Sequence, residues 1–61
     1  MKSPNYYDSK IYAFTLGALD GRTAARFIKD GKPIDHGDLL SAPDAYASGY
    51  RYGLKEENNA N

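Results

Sequence analysis

The segment SPNYYDSKIYAFTLGALDGRTAARFIKDG, residues 3–31, has the repeat of a long amphipathic helix. Apolar or small residues follow one another along it at alternating steps of four and three. They are Tyr7, Ile11, Phe14, Ala18, Gly21, Ala25 and Ile28. This spacing predicts a helix that packs along its length against another helix.

A second apolar line lies on the same predicted helix. It consists of Tyr12, Leu16, Leu19 and Phe27, with Thr23 in the gap. At about 100° per residue, this line is roughly 160° around the helix from the first. A helix that is apolar on two sides needs two neighbours, and the rest of the chain can supply only one. We therefore expect a partner, either a second copy of this chain or another protein.

The flanking residues indicate where this helix begins and ends. Ser3-Pro4 combines a hydroxyl N-cap with proline at the first helical position, and Gly31 followed by Pro33 is typical of a helix end. Gly17 and Gly21 each weaken a helix by about 1 kcal/mol relative to alanine, so a break near Gly21 is the alternative. The apolar spacing keeps its phase across both glycines and favours one continuous helix over residues 4–30.

The remaining residues predict a connector and a second helix. Residues 31–40 are rich in turn formers, and Leu39 and Leu40 are expected to cover the end of the core. Ser41 has the position of an N-cap with Asp44 at the capping-box position, which predicts a helix over residues 42–57 and a frayed tail over 58–61. The apolar arc of this helix holds Ala42, Tyr46, Gly49, Tyr50, Gly53 and Leu54, and its polar face holds Asp44, Ser48, Arg51 and Lys55.

Length and composition limit what the chain can be. Its 61 residues form a single domain, residues 1–61, and a domain of this size buries only about 60% of its unfolded surface. There is no cysteine for a disulfide, and one histidine argues against structural zinc, so oligomerisation or binding is the expected source of extra stability. The first ten residues lack the apolar region of a signal peptide, and no run approaches the roughly 18 apolar residues of a membrane span. We expect a soluble, cytoplasmic protein without membrane contact.

Charge is unevenly distributed in a chain whose net charge is zero. Residues 1–34 hold six Lys and Arg against three Asp, whereas residues 35–61 hold two against five acidic residues. The simpler interpretation is that the two halves attract each other in the folded chain. The alternative is a basic face for nucleic acid, although a neutral protein gains little affinity from phosphate neutralisation.

The two predicted helices share a short internal pattern. In residues 14–21 and again in residues 46–53, an aromatic residue is followed by glycine three and seven positions later. Glycines four residues apart clear a groove on a helix that lets another backbone or a large ring come close. We therefore expect Tyr46 and Tyr50 to lie over Gly17 and Gly21.

The blocks Ala13–Thr23 and Tyr46–Glu57, with Pro33 between them, resemble the ribosome modulation factor family. The resemblance is carried by Phe-x-x-Gly-x-x-x-Gly-Arg-Thr and Tyr-x-x-Gly-Tyr-x-x-Gly. The family consists of small, basic bacterial helical hairpins that bind ribosomal RNA, so the resemblance implies a hairpin that docks on a large assembly. The neutral charge, the longer connector and Lys32-Pro33-Ile34 in place of Cys-Pro-Tyr depart from the family. In style, the chain is also similar to small phage proteins that act on a host enzyme.

Tyrosines and a basic stripe are the candidate binding residues. Tyr12 and Tyr52 lie off the main packing seams of the two helices and are expected to be exposed contact residues, whereas Tyr7, Tyr46 and Tyr50 are expected in the core. Arg22, Arg26 and Lys29 share one helix face, which suits phosphates or an acidic protein surface. The alternative is that these cations are solvated and interact with the helix C-terminus.

No catalytic or metal chemistry is predicted. Asp35, His36 and Asp38 are close in sequence, but no other residue completes a metal site or supplies a nucleophile paired with His36. A neutral turn is the expected role of this cluster. We expect no cofactor, no metal, no small-molecule substrate and no enzymatic activity.

Together these patterns predict an all-α fold, an antiparallel two-helix hairpin with a long first helix that completes a bundle by dimerisation or partner binding. The predicted function is a non-enzymatic regulator or inhibitor, of the phage type, that docks on a host protein or protein–nucleic acid machine. The alternatives are a ribosome- or RNA-binding protein and a purely structural homodimer. The predicted partner-binding residues are Tyr12, Leu16, Leu19, Arg22, Arg26, Phe27, Lys29 and Tyr52.

Overall fold

The computed structural model describes residues 6–59, with side chains from Ser9 to Asn59. Two helices make up its regular structure: α1, Tyr6–Lys29, and α2, Ala45–Asn59. Residues 6–59 contain no strand, which confirms the all-α prediction. Within the same residues, neither helix combines the length and apolar character that crossing a membrane requires.

α1 is continuous across Gly17 and Gly21, as the phase of the apolar spacing predicts. Its predicted start at Ser3-Pro4 lies outside the described residues. Its C-terminus closes in a Schellman motif, because Lys32 N–H donates to the Phe27 carbonyl at 2.9 Å and Gly31 N–H to the Ile28 carbonyl at 3.0 Å. Gly31 adopts φ +83°, the left-handed conformation that glycine allows at this position.

The prediction that Ser41 caps the second helix is wrong. Asp44 is the N-cap, since its Oδ1 accepts the Ala47 N–H at 2.8 Å, and α2 begins at Ala45. Ser41 instead belongs to the preceding turn, where its N–H donates to the Asp38 carbonyl at 3.1 Å. At the other end, α2 includes Asn58 and Asn59, which the sequence assigned to the tail; residues 60 and 61 lie outside the described range.

The two helices pack against each other, but they run parallel rather than antiparallel. Contacts advance together along both: Gly17 lies against Tyr46, Gly21 against Tyr50, and Lys29 reaches Glu57. The predicted antiparallel direction is therefore wrong. Residues 30–44 are long enough to lead the chain from the end of α1 back to the level of Gly17, where α2 begins. Fifteen extended residues reach about 50 Å, whereas the rise from Gly17 to Lys29 is only about 18 Å.

Glycine builds the interface between the helices. A Cβ on Gly17 or Gly21 would overlap the carbonyl oxygen of Tyr46 or Tyr50, and a Cβ on Gly49 or Gly53 would overlap the carbonyls of Phe14 and Ala18. Each helix thus presents two glycines to the backbone of the other. This reciprocal contact agrees with the shared glycine pattern and with Tyr46 and Tyr50 lying over Gly17 and Gly21.

Because the backbones approach so closely, small residues form the centre of the described structure. Its buried hydrophobic residues are Ala24, Ala25, Ala47 and Tyr50. Ile11, Phe14 and Ile28, predicted in the packing seam, are instead 36% to 62% exposed. Leu40, predicted to cover the core, is exposed as well. The side chain of Tyr7 lies outside the described ones.

The connector packs on α2. His36 Nδ1 lies 2.7 Å from the Tyr50 hydroxyl, and the two rings meet edge to face with centroids 5.5 Å apart. Arg51, predicted on the polar face, is half-buried and donates to the carbonyls of Ala42 at 2.7 Å and Leu39 at 3.2 Å. α2 therefore contacts both α1 and the connector.

Candidate functional site

The second apolar line of α1 is solvent exposed in the folded chain. We call it the outer face and define it as Tyr12, Leu16, Leu19, Thr23 and Phe27. Its four large side chains are 38% to 67% exposed. Exposed apolar side chains arranged contiguously at helical spacing are characteristic of interaction surfaces, whereas single ones are ordinary on any protein.

Helix direction and packing explain why this face stays open. Gly17 and Gly21 lie on the side of α1 that faces α2, and residues one or two positions from them, such as Leu16 and Leu19, point roughly 100° to 160° away from it. The connector contacts Tyr50 and Arg51 of α2. These contacts lie on α2, and the side chains of the outer face remain exposed.

Threonine hydroxyls make this side of α1 more apolar than the sequence suggests. Thr15 Oγ1 donates to the Ile11 carbonyl at 2.9 Å, and Thr23 Oγ1 donates to the Leu19 carbonyl at 3.1 Å. A hydroxyl that donates within its own helix does not require a donor bond to a partner. A threonine inside a predicted helix is the sequence signal for such a bond, and Thr15 and Thr23 both have that position.

The predicted basic stripe contacts the acidic end of α2. Arg26 Nε lies 3.3 Å from Glu57 Oε2, Lys29 Nζ lies 3.8 Å from the same oxygen, and Arg22 Nη2 lies 4.0 Å from Glu56 Oε1. Opposite charges of the two halves therefore meet within the chain. Exposed pairs of this kind contribute only about 0–1 kcal/mol each.

Lys29 has a further role that follows from the parallel arrangement. Both helix C-termini lie at the same end of the pair, and α2 has no basic residue in its own last turn. The Lys29 ammonium donates to the Glu57 carbonyl at 2.7 Å. A cation from α1 thus satisfies a terminal carbonyl of α2 and interacts favourably with its negative dipole end.

Tyr52 is exposed, as predicted, but it lies on another part of the surface. It is 46% exposed on α2, and its ring centroid is 5.6 Å from that of Phe14. Phe14 is two residues from Leu16, which on a helix places it roughly 160° away. Of the eight predicted binding residues, four line the outer face, Arg22 and Arg26 border it, and Lys29 and Tyr52 lie outside it.

Tyr46 connects the helices by a polar contact next to the interface. Its hydroxyl donates to Asp20 Oδ2, and this bond, together with burial and the carboxylate charge, raises the pKa of Tyr46 to about 12. Burial is the main cause of the raised pKa of Tyr50, which is 5% exposed. Both tyrosines therefore lose their protons at a higher pH than an exposed tyrosine does.

The connector residues Asp35, His36 and Asp38, which are close in sequence, lie in a turn with its own hydrogen bond. Asp35 Oδ1 accepts the N–H of Gly37 at 2.9 Å, and Gly37 adopts φ +59°. Within residues 6–59, no three His, Cys, Asp or Glu residues are grouped as metal ligands would be. The arrangement is that of an Asx turn.

Comparisons of the chain with protein-family models, with curated proteins and with solved structures find no match.

Proposed function

We propose that this chain is a small non-enzymatic regulator that docks on a host macromolecular assembly through protein–protein contacts. The observation that supports the proposal is the outer face, where Tyr12, Leu16, Leu19 and Phe27 stay exposed in the folded chain. Folding leaves these side chains in water, so covering them is favourable by about 25 cal/mol for each Å² buried.

The composition of the face suits a protein partner. Aromatic residues are enriched in the cores of protein interfaces, and a few central anchors usually supply most of the binding free energy. Leu16 and Leu19 lie at the middle of the face, with Tyr12 and Phe27 towards its ends. We expect the leucines to be the central contacts.

Binding to ribosomal RNA, implied by the family resemblance, is the alternative that uses the basic stripe. Binding to RNA gains affinity when several protein cations displace the counterions condensed on its phosphates. Here the stripe has three cations, Arg22, Arg26 and Lys29, beside two carboxylates, those of Glu56 and Glu57, which leaves little net charge for binding many phosphates. The contacts therefore favour a protein partner over RNA.

The test is affinity capture from bacterial lysate with tagged protein, in parallel with Leu16→Glu/Leu19→Glu. A bound protein should survive nuclease and high salt and be lost in the double variant, because charge on the central leucines prevents dehydration of the face. Leu40→Glu is the matched control, since Leu40 is a leucine of the connector whose exposure is close to that of Leu19.

Three results would contradict the proposal. Retention of the partner by Leu16→Glu/Leu19→Glu would mean that another surface binds. Recovery of ribosomal components that nuclease or high salt removes would support the RNA alternative. Capture of the chain alone would favour a structural homodimer.

A further inference from the structure

We infer that the outer face receives an amphipathic helix of the partner whose edge beside Arg22 and Arg26 is acidic. This inference rests on the proposed docking function and specifies the chemistry of the partner. It starts from the shape of the face, which lies on one uninterrupted helix, α1.

Spacing along the face matches helix-on-helix packing. Tyr12, Leu16, Leu19 and Thr23 are separated by steps of four, three and four, the alternation of a coiled-coil seam. A second helix can lie along such a seam at a shallow angle of about 20°. The hydroxyl of Thr23 is bonded within α1 and makes no demand on the partner's polar groups.

The arginines beside the outer face indicate that the neighbouring edge of the partner helix is acidic. Arg22 and Arg26 follow Leu19 by three and seven residues, so they border the outer face on one side. Their side chains are 44% and 68% exposed, and each recorded contact with Glu56 or Glu57 uses one guanidinium nitrogen. The remaining donors of each guanidinium can bond carboxylates that approach from the partner.

The other charges around the face are compatible with this assignment. Asp20 lies on the opposite edge, where it accepts the Tyr46 hydroxyl. At the C-terminal end of the face, Lys32 Nζ lies 5.2 Å from the centre of the Phe27 ring and adds another cation, with Asp30 nearby in the chain. The basic edge is thus the one that carries the two exposed arginines, Arg22 and Arg26.

The test uses two synthetic three-heptad peptides with the same leucine seam, one with glutamates and one with lysines along its edges. Fluorescence anisotropy should show that the glutamate peptide binds the full chain about tenfold more tightly at low salt, a preference that shrinks at about 1 M salt. Arg22→Glu/Arg26→Glu should reverse the preference, and Leu16→Glu/Leu19→Glu should abolish binding of both peptides. If repulsion from Glu56 and Glu57 unfolds the charge reversal in circular dichroism, Arg22→Gln/Arg26→Gln should equalise the two affinities.

The remaining outcomes overturn the inference and leave the docking proposal separately testable. Equal affinities that disappear in Leu16→Glu/Leu19→Glu would exclude the acidic edge but keep the docking face. Binding of neither peptide would exclude a helical occupant, while lysate capture still tests docking. Self-association in sedimentation velocity, lost in the same leucine variant, would identify a second copy as the occupant.

Discussion

At the scale of single residues, the four interface glycines determine how close the helices lie. Glycine normally weakens a helix interior because it has more conformational freedom to lose than alanine. In this chain Gly17, Gly21, Gly49 and Gly53 face carbonyl groups of the neighbouring helix. The contact between backbones compensates for the low helix propensity.

Replacement of Gly21 by alanine tests this compensation. Propensity alone predicts that Gly21→Ala stabilises by about 1 kcal/mol, but the new Cβ would overlap the Tyr50 carbonyl. We expect a loss of about 2 kcal/mol or more in the free energy of unfolding, measured from urea transitions followed by circular dichroism. Thr15→Ala, on the exposed side of α1, should show no comparable loss. Equal or greater stability of Gly21→Ala would refute the close approach.

At the scale of the helices, the end of α1 and the two ends of α2 are each satisfied in a different way. Gly31 closes α1 through a Schellman motif. Asp44 caps the start of α2, and the Lys29 ammonium bonds the Glu57 carbonyl in its last turn. Two of these devices belong to α2, the shorter helix, in which fewer internal hydrogen bonds offset the cost of nucleation.

The alternative caps of α2 can be distinguished by two alanine substitutions. Asp44→Ala should lower the free energy of unfolding by about 1 kcal/mol, because the Ala47 N–H loses its acceptor. Ser41→Ala, at the position that the sequence pattern favours, should change it by less than about 0.5 kcal/mol. Denaturant unfolding of both variants gives the comparison. A larger loss of stability in Ser41→Ala than in Asp44→Ala would instead identify Ser41 as the N-cap.

At the scale of the whole molecule, polar side chains join the two helices and the connector outside the glycine contact. Tyr46 bonds Asp20 across the helices, and His36 meets Tyr50 between the connector and α2. Arg51 holds the turn before α2 through the carbonyls of Leu39 and Ala42. Few large apolar side chains are buried among the described residues, so these contacts form a substantial part of what orders the fold.

Alkaline pH should therefore destabilise the fold through Tyr46. Its pKa is raised from 10.0 to about 12 in the folded chain, so the folded state binds the proton more tightly than the unfolded state does. The resulting stability is present below pH 10 and is lost as the pH rises towards 12.

Chemical denaturation across this pH range gives the measurement. Tyr46→Phe should lower stability at neutral pH and flatten the decline above pH 10. Tyr50, whose pKa is also raised, accounts for a remaining slope. Tyr12→Phe, at an exposed tyrosine outside the helix interface, is the matched control. An unchanged decline in Tyr46→Phe would show that the Asp20 contact does not contribute.

Local patterns predicted the parts of this fold that local physics controls. The two helices, the end of α1 at Gly31 and the glycine contacts follow from spacing and turn chemistry. Helix direction depends on where residues 30–44 pack, which no local pattern determines. The exposure of Ile11 and Phe14 was not predicted, because heptad spacing implies that such side chains interdigitate between the helices. Here the two backbones are in contact, so these large side chains lie beside the interface and stay exposed.

For the candidate site, the sequence predicted the composition of the outer face but not its borders. Tyr12, Leu16, Leu19 and Phe27 follow from helical spacing alone. The separation of Tyr52 from this face depends on which side of α2 meets Phe14, a relation between distant segments. The ion pair between Arg26 and Glu57 also depends on how two distant segments pack, so local spacing could not predict it.

The parallel arrangement also has a consequence for the order of folding events. In an antiparallel pair, contacts next to the turn can form first and the helices can zip together from there. Here, contacts between the helices join residues far apart in sequence: 26 positions for Tyr46 and Asp20, and 28 for Lys29 and Glu57. Every contact of this type requires closure of a long loop before it forms. The helices should consequently associate in one concerted step, with a rate limited by a conformational search rather than by growth from a nucleus at the turn.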